Sequence, residues 1–266
     1  MKRRLGHLET QVLAYTQMRQ MRTIRTGELA EPLRLSLQQE QEVIARLARG
    51  GLLARVRRGL YLVPPRLPLG GAWSPDPILA LSALMEDRGA RYQICGPNAF
   101  NRYGFDEQVP TRLYVYNNRL WGDRAVGTVE MTLIKVADGR LGGTEEVKAA
   151  EGIEAIYSSR ARTLVDAVYD WSRFSSLPRA YDWIRRDLAS GRSSATDLVR
   201  AAVKYGNQGT LRRIGFLLEQ EGASRSLLTA LQRKLRSATS AVLWNPTGPN
   251  RGTINRRWGV ILNEPK

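Results

Sequence analysis

The side chains best placed to do recognition chemistry are concentrated near the start of the chain. On a helical wheel, residues 36–49 put Leu37, Ile44, Leu47 and Ala48 on one side and Gln38, Gln39, Glu42, Arg46 and Arg49 on the other. Glutamine can bond bidentately to adenine and arginine to guanine, and glutamate can accept from cytosine. Glu42 would repel phosphates, so it either faces a base edge or pairs with Arg46 at i, i+4; the spacing favours the pairing. A few residues on, Arg55, Arg57 and Arg58 cluster beside Gly59. At a hairpin tip, such arginines suit a phosphate backbone or a narrow minor groove. Arg25 and Arg34 bracket the segment before the helix and could clamp neighbouring phosphates, with Lys2, Arg3 and Arg4 as a basic arm.

Catalytic groupings are sparse. His7 is the one histidine and Cys95 the one cysteine. They give no basis for a Ser-His-Asp or Cys-His system and fall short of the four ligands of a structural zinc site. Cys95 reads as a buried small residue in a strand. Asp106-Glu107, Glu145-Glu146 and the pair Asp166/Asp170 could each ligate Mg²⁺ on paper, but the residue pattern favours solvated carboxylates. Gly139-Arg-Leu-Gly-Gly143 lacks the lysine and hydroxyl of a phosphate loop. Tyr92, Phe100, Tyr103 and Phe105 could stack bases, and core packing explains them as well. The expectation is no catalytic residue, no metal and no cofactor.

The elements that must position the polar residues read as helix, helix, helix, hairpin. Leu8, Val12, Tyr15 and Met18 give residues 8–20 one apolar stripe. Thr26 to Pro32 reads as a short second helix. Ser36 opens the third helix, with Gln39 at capping-box spacing, and Gly50-Gly51 closes it. Leu52–Val56 and Leu60–Val63 are β-prone runs, and Pro64-Pro65 ends the second. The Pro- and Gly-rich stretch from Arg66 to Asp76 places a domain boundary.

Beyond it the sequence predicts a helix over 76–88, strands at 92–95, 112–116 and 129–136, and a helical region from Ser158 to about Arg236. Breaks fall near Pro178, Gly191, Gly206 and Gly222, and late strands are expected at 241–244 and 258–262. The fold class is therefore α+β. Residues 1–66 are expected to form a winged helix-turn-helix that holds double-stranded DNA, and residues 67–266 a larger mixed α+β domain.

Charge supports the same partner. The formal net charge is +16, and its distribution is uneven. Residues 1–66 hold 13 basic and 5 acidic side chains, residues 67–221 hold 20 and 19, and residues 222–263 hold seven basic and no acidic ones. Basic surface binds polyanions by releasing their counterions. Arg233, Lys234 and Arg236, expected on a late helix, and Arg256 and Arg257, expected to lead the last strand, make a second candidate polyanion surface or a solvated face. Hydrophobic content of 42% is that of a globular chain. No run approaches the ~18 apolar residues of a membrane helix. No apolar region follows Met1-Lys2-Arg3-Arg4, and one cysteine cannot make an intrachain disulfide, so the expected compartment is cytoplasmic.

The order of several short motifs resembles the AbiEi family of type IV antitoxins. These are Arg58-Gly-Leu-Tyr-Leu-Val-Pro64, the stretch Tyr92 to Phe105, Pro110-Thr-Arg-Leu-Tyr-Val-Tyr116, Ser159-Arg-Ala-Arg-Thr-Leu-Val-Asp166 and Arg257-Trp-Gly-Val-Ile-Leu-Asn263. The resemblance spans nearly the whole chain. It implies a bacterial autorepressor whose N-terminal winged helix binds inverted repeats in its own promoter. It also implies a C-terminal domain that counters a nucleotidyltransferase-like toxin without a stable complex. The DNA role then falls on Ser36–Arg49 and Ala54–Tyr61, with two protomers meeting on the DNA. The residues alone leave two other readings open, a ligand-sensing transcription factor and a Mg²⁺-dependent nucleic-acid enzyme.

Overall fold

A computed structural model of the protein describes residues 5–68, 72–149, 152–236 and 241–263, so the arm Lys2–Arg4 lies outside the described residues. The chain opens with α1 (His7–Met18), β1 (Thr23–Arg25), a run of turns from Thr26 to Arg34, and α2 (Leu37–Arg49). The hairpin β2 (Ala54–Arg57) and β3 (Leu60–Leu62) follows. β1 was not foreseen; it pairs antiparallel with β3, and the small sheet runs β1-β3-β2.

Local signals explain α2 closely. Ser36 Oγ accepts from Gln39 N at 3.1 Å and Gln39 Oε1 accepts from Ser36 N at 2.9 Å, the reciprocal bonds of a capping box. Gly50 caps the other end and Gly51 takes the left-handed φ of +70°. The face that α2 buries differs from the expected one. Leu37 is 60% exposed, and Val43, Ile44 and Leu47 enter the core together with Glu40. The Glu40 carboxylate accepts from Gly27 N at 2.8 Å and Leu29 N at 2.9 Å. It thereby satisfies the backbone of the preceding segment, which turns rather than winding into the expected second helix. Gly27 sits at φ +98° and Pro32 lacks an N–H, so neither favours helix there. Leu29 and Leu33 still dock with Val12, Leu13, Ile24 and Val43 in the first core. On α1 the buried stripe is Glu9, Val12, Leu13 and Thr16, and Met18 is exposed.

The next unit is built on a six-stranded sheet. After α3 (Pro77–Asp87), which Asp76 caps by accepting from Ile78 N and Leu79 N, come β4 (Tyr92–Ile94), α4 (Gly96–Arg102) and β5 (Leu113–Asn117). Then follow β6 (Gly122–Val126), β7 (Val129–Lys135), β8 (Thr144–Lys148) and β9 (Glu154–Ser158). The order is β6-β7-β5-β4-β9-β8. Alternation divides its residues between two faces. Ile94, Leu113, Val115, Met131 and Leu133 pack with α3, while Cys95, Tyr116 and Ile134 form a separate cluster. Cys95 is buried as expected, but it ends the strand and caps α4.

Helices α5 (Arg160–Tyr169), α6 (Trp171–Phe174), α7 (Arg179–Ala189), α8 (Ala195–Tyr205), α9 (Gln208–Gln220) and α10 (Arg225–Gln232) share the largest core. The expected breaks hold. The bond before Pro178 is cis, Gly206 caps α8, and Gly191 and Gly222 take positive φ beyond α7 and α9. Strands β10 (Val242–Leu243), β11 (Thr253–Asn255) and β12 (Val260–Leu262) close the chain in the order β10-β12-β11. Trp244 and Trp258 of this small sheet enter the helical core. Phe100 and Phe105 also lie in that core, at 5.0 and 5.9 Å from the Trp183 ring, so they pack rather than offer a stacking platform.

The hairpin joins two cores. Ala54, Val56, Leu60 and Leu62 belong to the cluster that holds α3 and the six-stranded sheet, on the far side of the expected boundary. Tyr61 and Val63 pack toward α1 and α2. Within the expected linker, Trp73 N donates to Gly51 O at 2.7 Å.

Candidate nucleic-acid interface

The exposed face of α2 carries Gln38, Gln39, Gln41, Glu42, Ala45 and Arg49. Gln38 Nε2 donates to Glu42 Oε1 at 3.0 Å, one turn apart, so the amide of the one is tied to the carboxylate of the other. Arg46 leaves this face: its Nε lies 3.6 Å from Glu9 Oε1 on α1. The expected Glu42–Arg46 partnership is thus replaced by Gln38–Glu42 and Glu9–Arg46. Gln39 spends its side-chain oxygen on the capping box and keeps its amide N–H groups for other partners. Ser36 caps the helix that presents them.

The arginines around the hairpin divide into two groups. Arg34, Arg55 and Arg58 are exposed, with no acidic partner among the described residues. Arg25 and Arg57 instead converge on Asp87, the last residue of α3. Arg57 Nε and Nη2 donate to the two carboxylate oxygens at 2.6 and 2.7 Å, and Arg25 Nη1 donates at 3.2 Å. Strand parity explains the division. Arg25 and Arg57 both register with Leu60, while Arg55 registers with Tyr61. A register shift between Arg55 and Arg57 turns Arg57 onto the Leu60 face, toward α3. The bonds from Arg57 hold the Asp87 carboxyl below its ordinary range, against the opposing effect of burial, and the bond from Arg25 adds to them.

The second candidate surface lies largely on turns rather than on the expected helix and strand. Arg233 caps the end of α10, and Lys234 and Arg236 lie beyond it rather than on the helix. All three are exposed, and Gln208 ties this segment down by bonding Lys234 O and Arg236 N. Arg256 and Arg257 sit in the turn between β11 and β12, not at the head of a strand. Arg257 donates to Glu219, which also accepts from Trp258 Nε1.

Asp166 and Asp170, the helical pair considered for Mg²⁺, are engaged elsewhere. Asp166 is buried, with Arg162 Nε at 2.9 Å from each oxygen and Arg140 Nη2 at 2.7 Å. Asp170 accepts from Tyr116 Oη at 2.5 Å. Arg162 also donates to Gly142 O and Arg140 O, and its guanidinium lies 3.9 Å from the Tyr205 ring centre. These groups therefore join α5 to the loop before β8. Among the described residues no three His, Cys, Asp or Glu side chains group as a metal site, and no helix is long and apolar enough to cross a membrane.

No family model and no curated protein matches the chain. A solved structure does, the RV2827C protein from Mycobacterium tuberculosis. The likeness has a TM-score of 0.60 at 18% identity and covers 98% of this chain and 92% of that one. At that identity it shows a shared fold of the mixed α+β class and nothing of activity.

Proposed function

We propose that this chain is a double-stranded DNA-binding repressor whose N-terminal unit works as a winged helix-turn-helix. The observation that carries the reading is the pairing of one exposed polar helix with one basic ribbon. A capped α2 offers Gln38, Gln39 and Glu42 outward, and the hairpin beside it exposes Arg55 and Arg58. Helix, strand, turns, helix and hairpin, with strand order β1-β3-β2, suit a recognition helix for the major groove and a wing for the backbone. Arg34 and Arg49 extend the positive rim. A gel-shift titration with the gene's own upstream region and a scrambled duplex, at two salt concentrations, tests it. Equal affinity for both at each salt concentration would refute sequence-specific repression.

The resemblance to the AbiEi family, cytoplasmic residence and action against a nucleotidyltransferase-like toxin belong to the same proposal. Co-expression with the product of such a neighbouring gene should restore growth. A second reading, a ligand-sensing regulator, is favoured by one cleft of about 460 Å³ between the first turn of α5 and the outer face of α8. Arg160, Arg162, Arg192, Arg200 and Lys204 outnumber Glu145 and Asp197 in its lining, and that surplus would suit an anionic ligand. A phosphate-bearing effector that changes duplex affinity would support that reading.

A further inference from the structure

We infer that Arg25, Arg57 and Arg88, gathered by the carboxylate of Asp87, form a phosphate-binding subsite through which α3 joins the duplex contact. This rests on the reading of the N-terminal unit as a duplex binder. Three guanidinium groups from three elements meet one carboxylate. Besides the bonds from Arg57 and Arg25, Arg88 Nε lies 3.7 Å from Asp87 Oδ2. The four side chains together carry a surplus of two positive charges. The carboxylate is only 3% exposed, whereas the side chains of Arg25, Arg57 and Arg88 are 57%, 37% and 48% exposed. The negative group is thus shielded beneath, and the positive groups face solvent.

Donors remain for a ligand. Of five N–H donors on a guanidinium, Arg57 uses two on Asp87 and one, at 2.7 Å, on Arg58 O. Arg25 gives Asp87 one bond. Glu28 also makes a contact here, and its carboxylate accepts from the backbone N of Arg25 at 2.7 Å rather than from the guanidinium. Asp87 therefore acts as a positioning residue. It fixes Arg57 by a bidentate pair before any phosphate arrives, which removes part of the ordering cost that a free arginine would meet on binding. Arg88 extends the site to the C-cap of α3, outside the residues that sequence alone assigns to DNA.

The test uses the full chain, with wild type, Arg88→Ala, Asp87→Asn and Asp87→Glu, titrated against operator and scrambled duplex over a range of salt. Arg88→Ala is expected to keep the thermal midpoint and to lower the slope of log K against log salt by about one. Its affinity should fall by the same factor on both duplexes. Asp87→Asn should lower the slope further, and Asp87→Glu should restore it in part. An unchanged slope in Arg88→Ala, or tighter duplex binding by Asp87→Asn, would overturn the subsite while leaving the DNA-binding reading intact. A wild-type chain that binds no duplex would overturn both.

Discussion

Arg57 and Asp87 form a bidentate pair that ties the tip of the β2–β3 hairpin to the C-terminal end of α3. A residue that reads in sequence as a free phosphate contact is thereby also a structural link between two cores. Substitution there confounds stability with binding, so Arg55 and Arg58 are the cleaner probes of the wing. Changing both to Ala should weaken binding to every duplex and lower the salt slope by up to ~2, with little change in thermal midpoint. An unchanged slope would take the ribbon out of the interface.

Base reading has a different signature. Gln38→Ala should relax preference among operator variants by ~1–3 kcal/mol, if a bidentate base contact is lost. The same change frees Glu42 from its bond to Gln38, so Glu42→Gln serves as the control. Loss of equal size on all sequences would argue against a base contact at Gln38.

Glu40 should matter for folding more than its charge suggests. Glu40→Ala leaves Gly27 N and Leu29 N without their acceptor in a buried place, at ~1–3 kcal/mol. Urea midpoints would show it, and Glu40→Gln, which retains one acceptor oxygen, should recover part of the loss.

Asp166 sits between Arg162 and Arg140 with its side chain 1% exposed. Asp166→Ala leaves buried guanidinium groups unpaired and should cost ~3–5 kcal/mol. The chain should lose structure by circular dichroism along with any activity, which separates this role from that of a metal ligand. Gly215→Ala should also destabilise, by ~1–3 kcal/mol, because the added carbon would overlap the Trp258 ring.

Stability should fall in acid through two carboxylates. Asp87 is held low by Arg57. For Asp187, burial pushes upward, but bonds from Arg160 and Ser193 and the nearby charges of Arg160 and Arg192 bring it below its ordinary range. A carboxyl lowered in the fold stabilises it fully above the unfolded value of ~3.9 and loses that contribution as pH falls through the folded value. Denaturant midpoints should therefore be flat from about pH 5 to neutrality and decline below about pH 4. Asp87→Asn should make the decline shallower; an identical profile would remove Asp87 from the linkage.

What sequence made legible was local. The capping box of Ser36 and Gln39, the glycines ending α2 and the hairpin around Gly59 each rest on residues within one turn of each other. What it hid depended on partners far along the chain. β1 is three residues long and pairs with residues 60–62. β8 is a charged, mostly exposed edge strand, Thr144-Glu-Glu-Val-Lys148, with no apolar alternation to announce it. Arg57 changed role through a register shift that no spacing rule reveals, and Glu40 went inside because two distant amides needed an acceptor. Gln38 and Gln39, whose exposure follows from helical period alone, lie where the wheel puts them.

The shared hairpin has a consequence for how this chain can be cut. Expressing residues 1–66 alone would lay bare Ala54, Val56, Leu60 and Leu62, an oily strip that α3 and the large sheet normally cover. Such a fragment should clump or pair through that strip, and its DNA affinity would describe an artefact. The reciprocal fragment would lose one wall of its own interior. By the same connection, a load placed on the ribbon would be felt at α3 and the six-stranded sheet, so the first unit and the sheet are mechanically in touch.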